Sequence, residues 1–212
     1  MHFRAIIPFR PANPKTRLSG VLTEDERKSF AHAMLTDVIS VLHDCGSDVT
    51  LLSTEPYICP EAAVVTRNEG LNEALNWILP QCDEPVLIVM SDLPLITKET
   101  ILKVCSSAAD LAIVPGLGGG TNILFIRDPK QYHVQYYGYS YRQHVEIAES
   151  LGMTVESIDS MRMSTDVDEP ADLVELLIHG TGNAKEWLIR HEFTLSAESG
   201  RVKIKRRGID VI

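Results

Sequence analysis

The chain has 212 residues, with 20 Lys plus Arg against 29 Asp plus Glu and a formal net charge of −9. Its 44% hydrophobic and 23% charged residues are the balance of a soluble globular protein, and a chain of this length buries roughly 70% of its unfolded surface, enough for one core. The acidic excess argues against non-specific nucleic-acid binding, and the lack of any run of about 18 apolar residues argues against a membrane span.

The opening residues, MHFRAIIPFR, lack the apolar core of a signal peptide. Cys45, Cys59, Cys82 and Cys105 form no CxxC pair. They read as buried thiols of a cytoplasmic protein rather than as disulfides or a zinc site.

Apolar runs and helical segments alternate from the start. Residues 3–8 read as a short strand, followed by a loop carrying Pro8, Pro11 and Pro14. Thr23 and Glu26 have capping-box spacing, and Phe30, Met34, Val38 and Leu42 continue at helical spacing. Residues 49–52 and 63–66 read as strands, and residues 71–79 as a helix ended by Pro80. The continuous apolar run PVLIVM at 85–90 has the pattern of a strand covered on both faces. A helix over 97–108, a strand over 111–114, a glycine-rich loop at 116–120 and a strand over 122–126 follow. Ser140 is expected to cap a helix reaching about residue 151, with a capping box through Gln143. Residues 154–158 read as a strand, and 170–179 as a helix with Pro170 in its first turn.

This alternation predicts an α/β fold with a doubly wound, mostly parallel sheet over residues 1–179. Residues 180–212 break the pattern and read as an appendage packed on the same domain. It offers a helix over 184–190 and a hairpin of 193–195 with 202–205, turning at Ser199-Gly200.

In open α/β sheets ligands sit beyond the carboxyl ends of the strands. After the first strand come Arg10, Lys15 and Arg17, three basic residues on a proline-stiffened loop of an acidic chain. They suit a polyphosphate clamp; the bland alternative is a solvated loop pairing with Glu24 to Glu26. The glycines of a Walker A loop are absent. After the apolar run comes Asp92, placed to hold a divalent metal that bridges phosphates, or simply to fill a turn.

Gly116 to Gly120 could form an anion nest, but its place and spacing exclude a Rossmann dehydrogenase fingerprint. The start of the 140–151 helix, with Ser140 and Arg142, suits a phosphate or carboxylate. Asp166, Asp168 and Glu169 precede a helix; capping explains one acid but not two alternating carboxylates. The seven histidines form no HExxH motif, and no GxSxG elbow is present.

In this order, AIIPFRP, KTRLSGVLTEDER, MLTDVI, NEGLNEAL, MSDLPL, GGGTNIL, GYSYRQH and DVDEPADL resemble the 2-phospho-L-lactate guanylyltransferases of coenzyme F-420 biosynthesis, over roughly residues 3–178. The resemblance implies a nucleotidyltransferase fold of the GT-A-like, nucleotide-diphospho-sugar transferase type, and transfer of GMP from GTP to a phosphorylated acid. It further implies Pro8, Arg10, Lys15 and Arg17 around the GTP triphosphate, with Lys15, Arg17 and Asp92 catalytic. Gly70 and Asn72 would border base and ribose. Asp92 with Asp168, or with Asp166, would hold Mg²⁺, and Thr121, Gly138 and Ser140 would face the acid. One residue, Tyr139, separates Gly138 from Ser140 where relatives usually have two. Phosphoenolpyruvate or 3-phosphoglycerate as acceptor stays open, since such acids look alike to a glycine-rich pocket. The basic stretch from Arg201 to Arg207 makes a homodimer contact plausible.

Overall fold

Six strands of one sheet run parallel and a seventh runs against them. The computed structural model describes residues 2–198 and 201–207. The sheet has the order β3-β2-β1-β4-β6-β5-β7, built from β1 (Arg4–Phe9), β2 (Asp48–Ser53), β3 (Ala63–Thr66), β4 (Val86–Val89), β5 (Leu111–Pro115), β6 (Thr121–Ile126) and β7 (Val155–Ser157). β1 pairs parallel with β2 and β4, while β6 pairs antiparallel with both β4 and β5. The mostly parallel sheet expected from the sequence is present, with β6 as the reversed strand.

Period-2 alternation sorts the side chains onto two faces. Ala5 and Ile7 of β1, with Leu87 and Val89 of β4, face a cluster containing Leu35 and Val38 of α1 (Glu24–Asp44) and Ile101 of α3 (Lys98–Cys105). Ile6, Val86 and Ile88 face the opposite cluster, with Leu75 of α2 (Leu71–Ile78) and Ala148 of α4 (Ser140–Ser150). Helices therefore cover both faces, which is why β4 reads as an unbroken apolar run. The Thr23/Glu26 capping box is formed.

The α2 helix ends at Ile78, just before Pro80 as expected, and a 3₁₀ turn, Leu79–Gln81, follows it. Two local expectations are corrected. Ser140 is not a cap. The N-cap of α4 is Tyr139, without a side-chain bond, and the Ser140 hydroxyl instead donates to Thr121 Oγ1 at 3.2 Å, a buried bond that competes with capping. Beyond the short α5 (Met161–Ser164), α6 (Asp172–His179) begins after Pro170, and its N-cap is Ala171, with no side-chain cap bond. One oxygen of Asp172 accepts from the amides of Asp168 and Glu169 at 2.9 and 2.7 Å. None of the three preceding acids is needed for capping, so their carboxylates are free for other partners.

The C-terminal segment shares a core with the N-terminal loop. Trp187 and Leu188 of α7 (Asn183–Arg190), Phe193 of β8 (Phe193–Glu198) and Ile204 of β9 (Arg201–Arg206) cluster with Leu18, Phe30, Met34 and Leu173. Asp37 of α1 accepts from the amides of Asn183 and Ala184 at 2.6 and 2.9 Å, capping α7 across the fold. The expected turn at Ser199-Gly200 lies outside the described residues. Of the basic stretch, Arg206 binds Glu26 and the Val21 carbonyl of its own chain, and Arg207 pairs with Glu192.

Glu26 therefore ties the capping box to β9. The hydrogen bonds from Arg206 hold its carboxyl at about 2, below its ordinary 4.5. A depressed carboxyl stabilises the fold above the unfolded value and loses that contribution as pH falls through the folded one. Glu26→Gln is accordingly expected to cost about 1 kcal/mol at pH 7, kept small because the pair lies near the surface. The gap to wild type should shrink between pH 4.5 and 2, as read by urea denaturation at both ends; a gap independent of pH would contradict the pairing.

Candidate active site

The groove runs along the carboxyl ends of β1, β2 and β4. Two clefts of about 660 and 710 Å³ share Phe9, Arg10, Ser91 and Tyr137. The first holds Pro8, Leu52, Leu71, Ala74 and Met90, which form an apolar slot. The second is polar, lined by Lys15, Arg17, Asp92 and Asp168.

The polar cleft is built around one ammonium. Lys15 Nζ donates to Asp92 Oδ2 at 2.6 Å and to Asp168 Oδ1 at 3.3 Å, although 77 and 153 positions separate the partners. Arg17 Nη1 takes the other oxygen of Asp168 at 2.8 Å and lies 3.6 Å from Glu169. The bland sequence alternative, pairing with Glu24 to Glu26, does not occur: Glu24 pairs with Lys28 and Glu26 with Arg206. Burial would lower the Lys15 ammonium, but the charges of Asp92 and Asp168 outweigh it and hold the group above its ordinary value. Lys15 stays charged at any physiological pH.

The loop carrying these bases is rigid for a reason its own sequence does not display. Asn13 and Lys15 sit in the left-handed region, at φ of 44° and 53°. Arg27, buried on α1, holds them there, donating to the Pro14 carbonyl at 3.1 Å, to Asn13 Oδ1 at 2.8 Å and to the Leu22 carbonyl at 3.3 Å. Asp92 follows β4 and is fixed by its backbone, whose carbonyl accepts from Val167 N at 3.0 Å. This bond brings the 165–171 loop, and Asp168 with it, alongside Asp92.

Asp166 turns the other way, accepting weakly from Asn122 Nδ2 at 3.4 Å. Burial and then the nearby charge of Asp92 push its carboxyl upward. Asp92 and Asp168, with Asp166 beside them, are the carboxylates that could hold a cation here. Both carboxylates already share one cationic group, and hard oxygens suit Mg²⁺. Among the described residues no three His, Cys, Asp or Glu side chains form a metal cage. The residues thus fit a Mg²⁺ that takes one or two carboxylates and completes its shell with substrate phosphates and water.

Thr121, Ser140 and His144 form a separate, buried hydrogen-bonded chain. His144 Nε2 accepts from Gln135 N at 3.0 Å, so the neutral ring carries its proton on Nδ1 and donates it to Thr121 Oγ1 at 2.9 Å. Burial, with a smaller push from His133, lowers the imidazolium to about 4. His144 is neutral at working pH and fixes the threonine hydroxyl. Sequence reading passed over it; the signal was its position four residues after Ser140, on the same helix face.

Gly138, at a φ of 62°, makes the turn into α4. In the glycine-rich loop, a side chain at Gly116 would collide with the Asn122 amide at 2.5 Å. The amides of Gly116, Leu117 and Gly119 already bond within the protein, so much of the imagined anion nest has partners. Gly70 lines the apolar cleft, whereas the Asn72 amide is turned to the Tyr136 backbone, at 2.6 and 3.2 Å. Thr121, Gly138, Ser140, Asn72 and Asp166 line neither cleft.

A family described as "Guanylyl transferase CofC like" matches residues 3–207. The chain belongs to this family. The match runs through α7 and the β8–β9 hairpin, where no family motif was recognised in the sequence. The 2-phospho-L-lactate guanylyltransferase of Methanocorpusculum labreanum is 60% identical over 212 residues, covering all of both chains. That of Methanoculleus marisnigri is 49% identical over 208 residues, covering 97% of each. Among solved structures, a chain from Desulfovibrio desulfuricans G20 described as a nucleotide-diphospho-sugar transferase aligns with a TM-score of 0.74 over 89% of this chain and 94% of its own, at 18% identity. This last likeness shows the fold alone, and it is the nucleotidyltransferase-type fold that the sequence resemblance implied. Among the described residues no helix is long and apolar enough to cross a membrane.

Proposed function

We propose that this guanylyltransferase-family enzyme transfers GMP from GTP to the phosphate of 2-phospho-L-lactate and releases pyrophosphate. The observation that carries the reading is the Lys15–Asp92–Asp168–Arg17 constellation beside an apolar slot, in a chain 60% identical over its full length to a relative named for that activity.

A phosphate oxygen of the acid attacks the α-phosphorus of GTP. The new P–O bond forms as the bond to the α–β bridging oxygen breaks, and pyrophosphate leaves with that electron pair. The nucleophile is already anionic at neutral pH, so no general base is needed. The barrier is repulsion between anions: two unit charges 4 Å apart interact by about 4 kcal/mol at an effective dielectric of 20. Lys15 and Arg17 offset charge on the departing pyrophosphate, and Arg10 lies where the two clefts meet. Asp92 and Asp168, with Asp166 at hand, would hold a Mg²⁺ ion, which would supply positive charge to offset that developing on the phosphates. The apolar slot, bordered by Pro8 and Gly70, receives the nucleoside. Thr121 and the Gly138–Ser140 turn are the proposed acid subsite, their geometry fixed by His144.

Pyrophosphate release across a panel of nucleoside triphosphates and phosphorylated three-carbon acids tests the proposal. GTP with 2-phospho-L-lactate should give the highest kcat/KM; a clear preference for another pair would overturn it. Ser140→Ala should raise KM for the acid roughly tenfold by freeing the Thr121 hydroxyl, with KM for GTP nearly unchanged. Equal effects on both would remove Ser140 from the acid subsite.

A further inference from the structure

The apolar slot has a far end that the phosphate chemistry does not use. Thr54, Glu55, Arg67 and Glu69 line the 660 Å³ cleft and none of them lines the phosphate cleft. A nucleotide laid with its phosphates at Lys15 and its ring between the apolar walls therefore points the outer edge of its base at this end. Two carboxylates stand there, and they differ. Glu69 is taken by the Arg67 fork, with Arg67 Nε to Oε2 at 3.1 Å and Nη2 to Oε1 at 2.5 Å. The Arg67 guanidinium is itself seated 4.2 Å over the Trp77 ring. The syn lone pairs of Glu69 are thus occupied by a cation that is held from beneath.

Glu55 is the other case. Its backbone is pinned at the end of β2: buried Ser53 donates its hydroxyl to the Glu55 carbonyl at 2.7 Å and accepts from the Glu55 amide at 3.4 Å. Among the described residues its carboxylate has no hydrogen-bond or ionic partner. An anchored residue with an uncommitted carboxylate is suited to a ligand that brings two adjacent donors. Of the common bases only guanine presents such a pair on one edge, N1–H beside the N2 amino group. Adenine puts an acceptor, N1, where guanine has N1–H, so a carboxylate there repels it.

Resting on the guanylyl-transfer reading, we propose that Glu55 selects guanine by accepting N1–H and N2–H with its two oxygens, while the Arg67–Glu69 pair forms the inert wall beside it. A site built to hydrogen-bond a donor strongly rejects an analogue that lacks it. Inosine triphosphate keeps N1–H and loses the N2 amino group, and adenosine triphosphate loses both donors.

The test measures kcat/KM for GTP, ITP and ATP, with calorimetric binding of GDP and IDP as a readout independent of turnover. Wild type should favour GTP over ITP by roughly 10-fold or more, and ATP should be poorer still. In Glu55→Gln the amide NH₂ opposes the N2 donors, so the GTP-to-ITP preference should fall to within about twofold, in both kcat/KM and binding. Glu69→Gln should keep the wild-type ratio within about twofold. Unchanged ratios in Glu55→Gln, or a collapse in Glu69→Gln alone, would overturn the assignment. A wild type that uses no guanine nucleotide would instead sink the guanylyl-transfer reading itself. Glu55 is exposed, so the variant folds, and its melting curve verifies this.

Discussion

Replacing Asp92 with Asn is expected to lower kcat by about 10³-fold or more while leaving the fold intact. Asp92 is the hinge of the polar cleft. Its oxygen is the nearest partner of the Lys15 ammonium at 2.6 Å, and its carbonyl anchors the 165–171 loop through Val167. Only the charge at the first contact is lost in Asn, because the backbone bond survives and the amide matches the carboxylate in shape. What disappears is half of the negative charge that would hold a divalent ion against the triphosphate. Asp168 alone, shared with Arg17 at 2.8 Å, cannot replace it. Circular dichroism and thermal melting should match wild type closely while pyrophosphate release falls to background. A variant that turns over normally at limiting Mg²⁺ would remove Asp92 from the metal-binding role.

The second large effect belongs to Lys15→Met, and it has two readouts of opposite sign. Turnover should fall by about 10²-fold or more, because a point charge next to the leaving pyrophosphate is gone. Affinity for a bare divalent cation should rise. The Lys15 ammonium sits between Asp92 and Asp168, at 2.6 and 3.3 Å, on the oxygens that a bare ion would need. Taking the ammonium away leaves two facing carboxylates without a counter-charge, a state that an incoming cation relieves. Mn²⁺ binding followed by electron paramagnetic resonance without nucleotide should tighten by about tenfold in Lys15→Met. Equal or weaker binding than wild type would mean that the two carboxylates do not share a cation seat.

Much of this site was legible because strand ends carry it. The apolar run at 85–90 marks a two-sided strand, so the first acid after it, Asp92, belongs at the ligand edge of the sheet. Arg10, Lys15 and Arg17 stand out for the same reason, as local basic residues after the first strand of an acidic chain. Short-range rules also located the Thr23 capping box and the helix after Gly70.

What stayed hidden was long-range. No local pattern tells that Arg27 on α1 clamps the Pro14 loop, or that Asp37 caps a helix 146 residues away. Capping was misread twice because a side chain has only so many partners. The Ser140 hydroxyl donates to Thr121, and Asp172 accepts from the amides of Asp168 and Glu169 ahead of its helix, whose N-cap, Ala171, has no side-chain bond. Glu55 gave no signal at all, since an exposed glutamate after a strand becomes informative only when Arg67 is seen to occupy Glu69.

The net charge of −9 also takes a more specific meaning in the fold. Two of its carboxylates, Asp92 and Asp168, converge on Lys15 at the point where a triphosphate and a metal would meet.

The bond made is to the α-phosphorus of GTP, with an acid phosphate as nucleophile. GTP labelled with ³²P at either the α or the γ position, incubated with Mg²⁺ and 2-phospho-L-lactate, separates this from every other phosphate chemistry. The α label should appear in an acid-linked guanosine diphosphodiester and the γ label in pyrophosphate. Label in GDP and inorganic phosphate, or γ label on the acid, would contradict nucleotidyl transfer and with it the roles given to Lys15, Arg17 and Asp92.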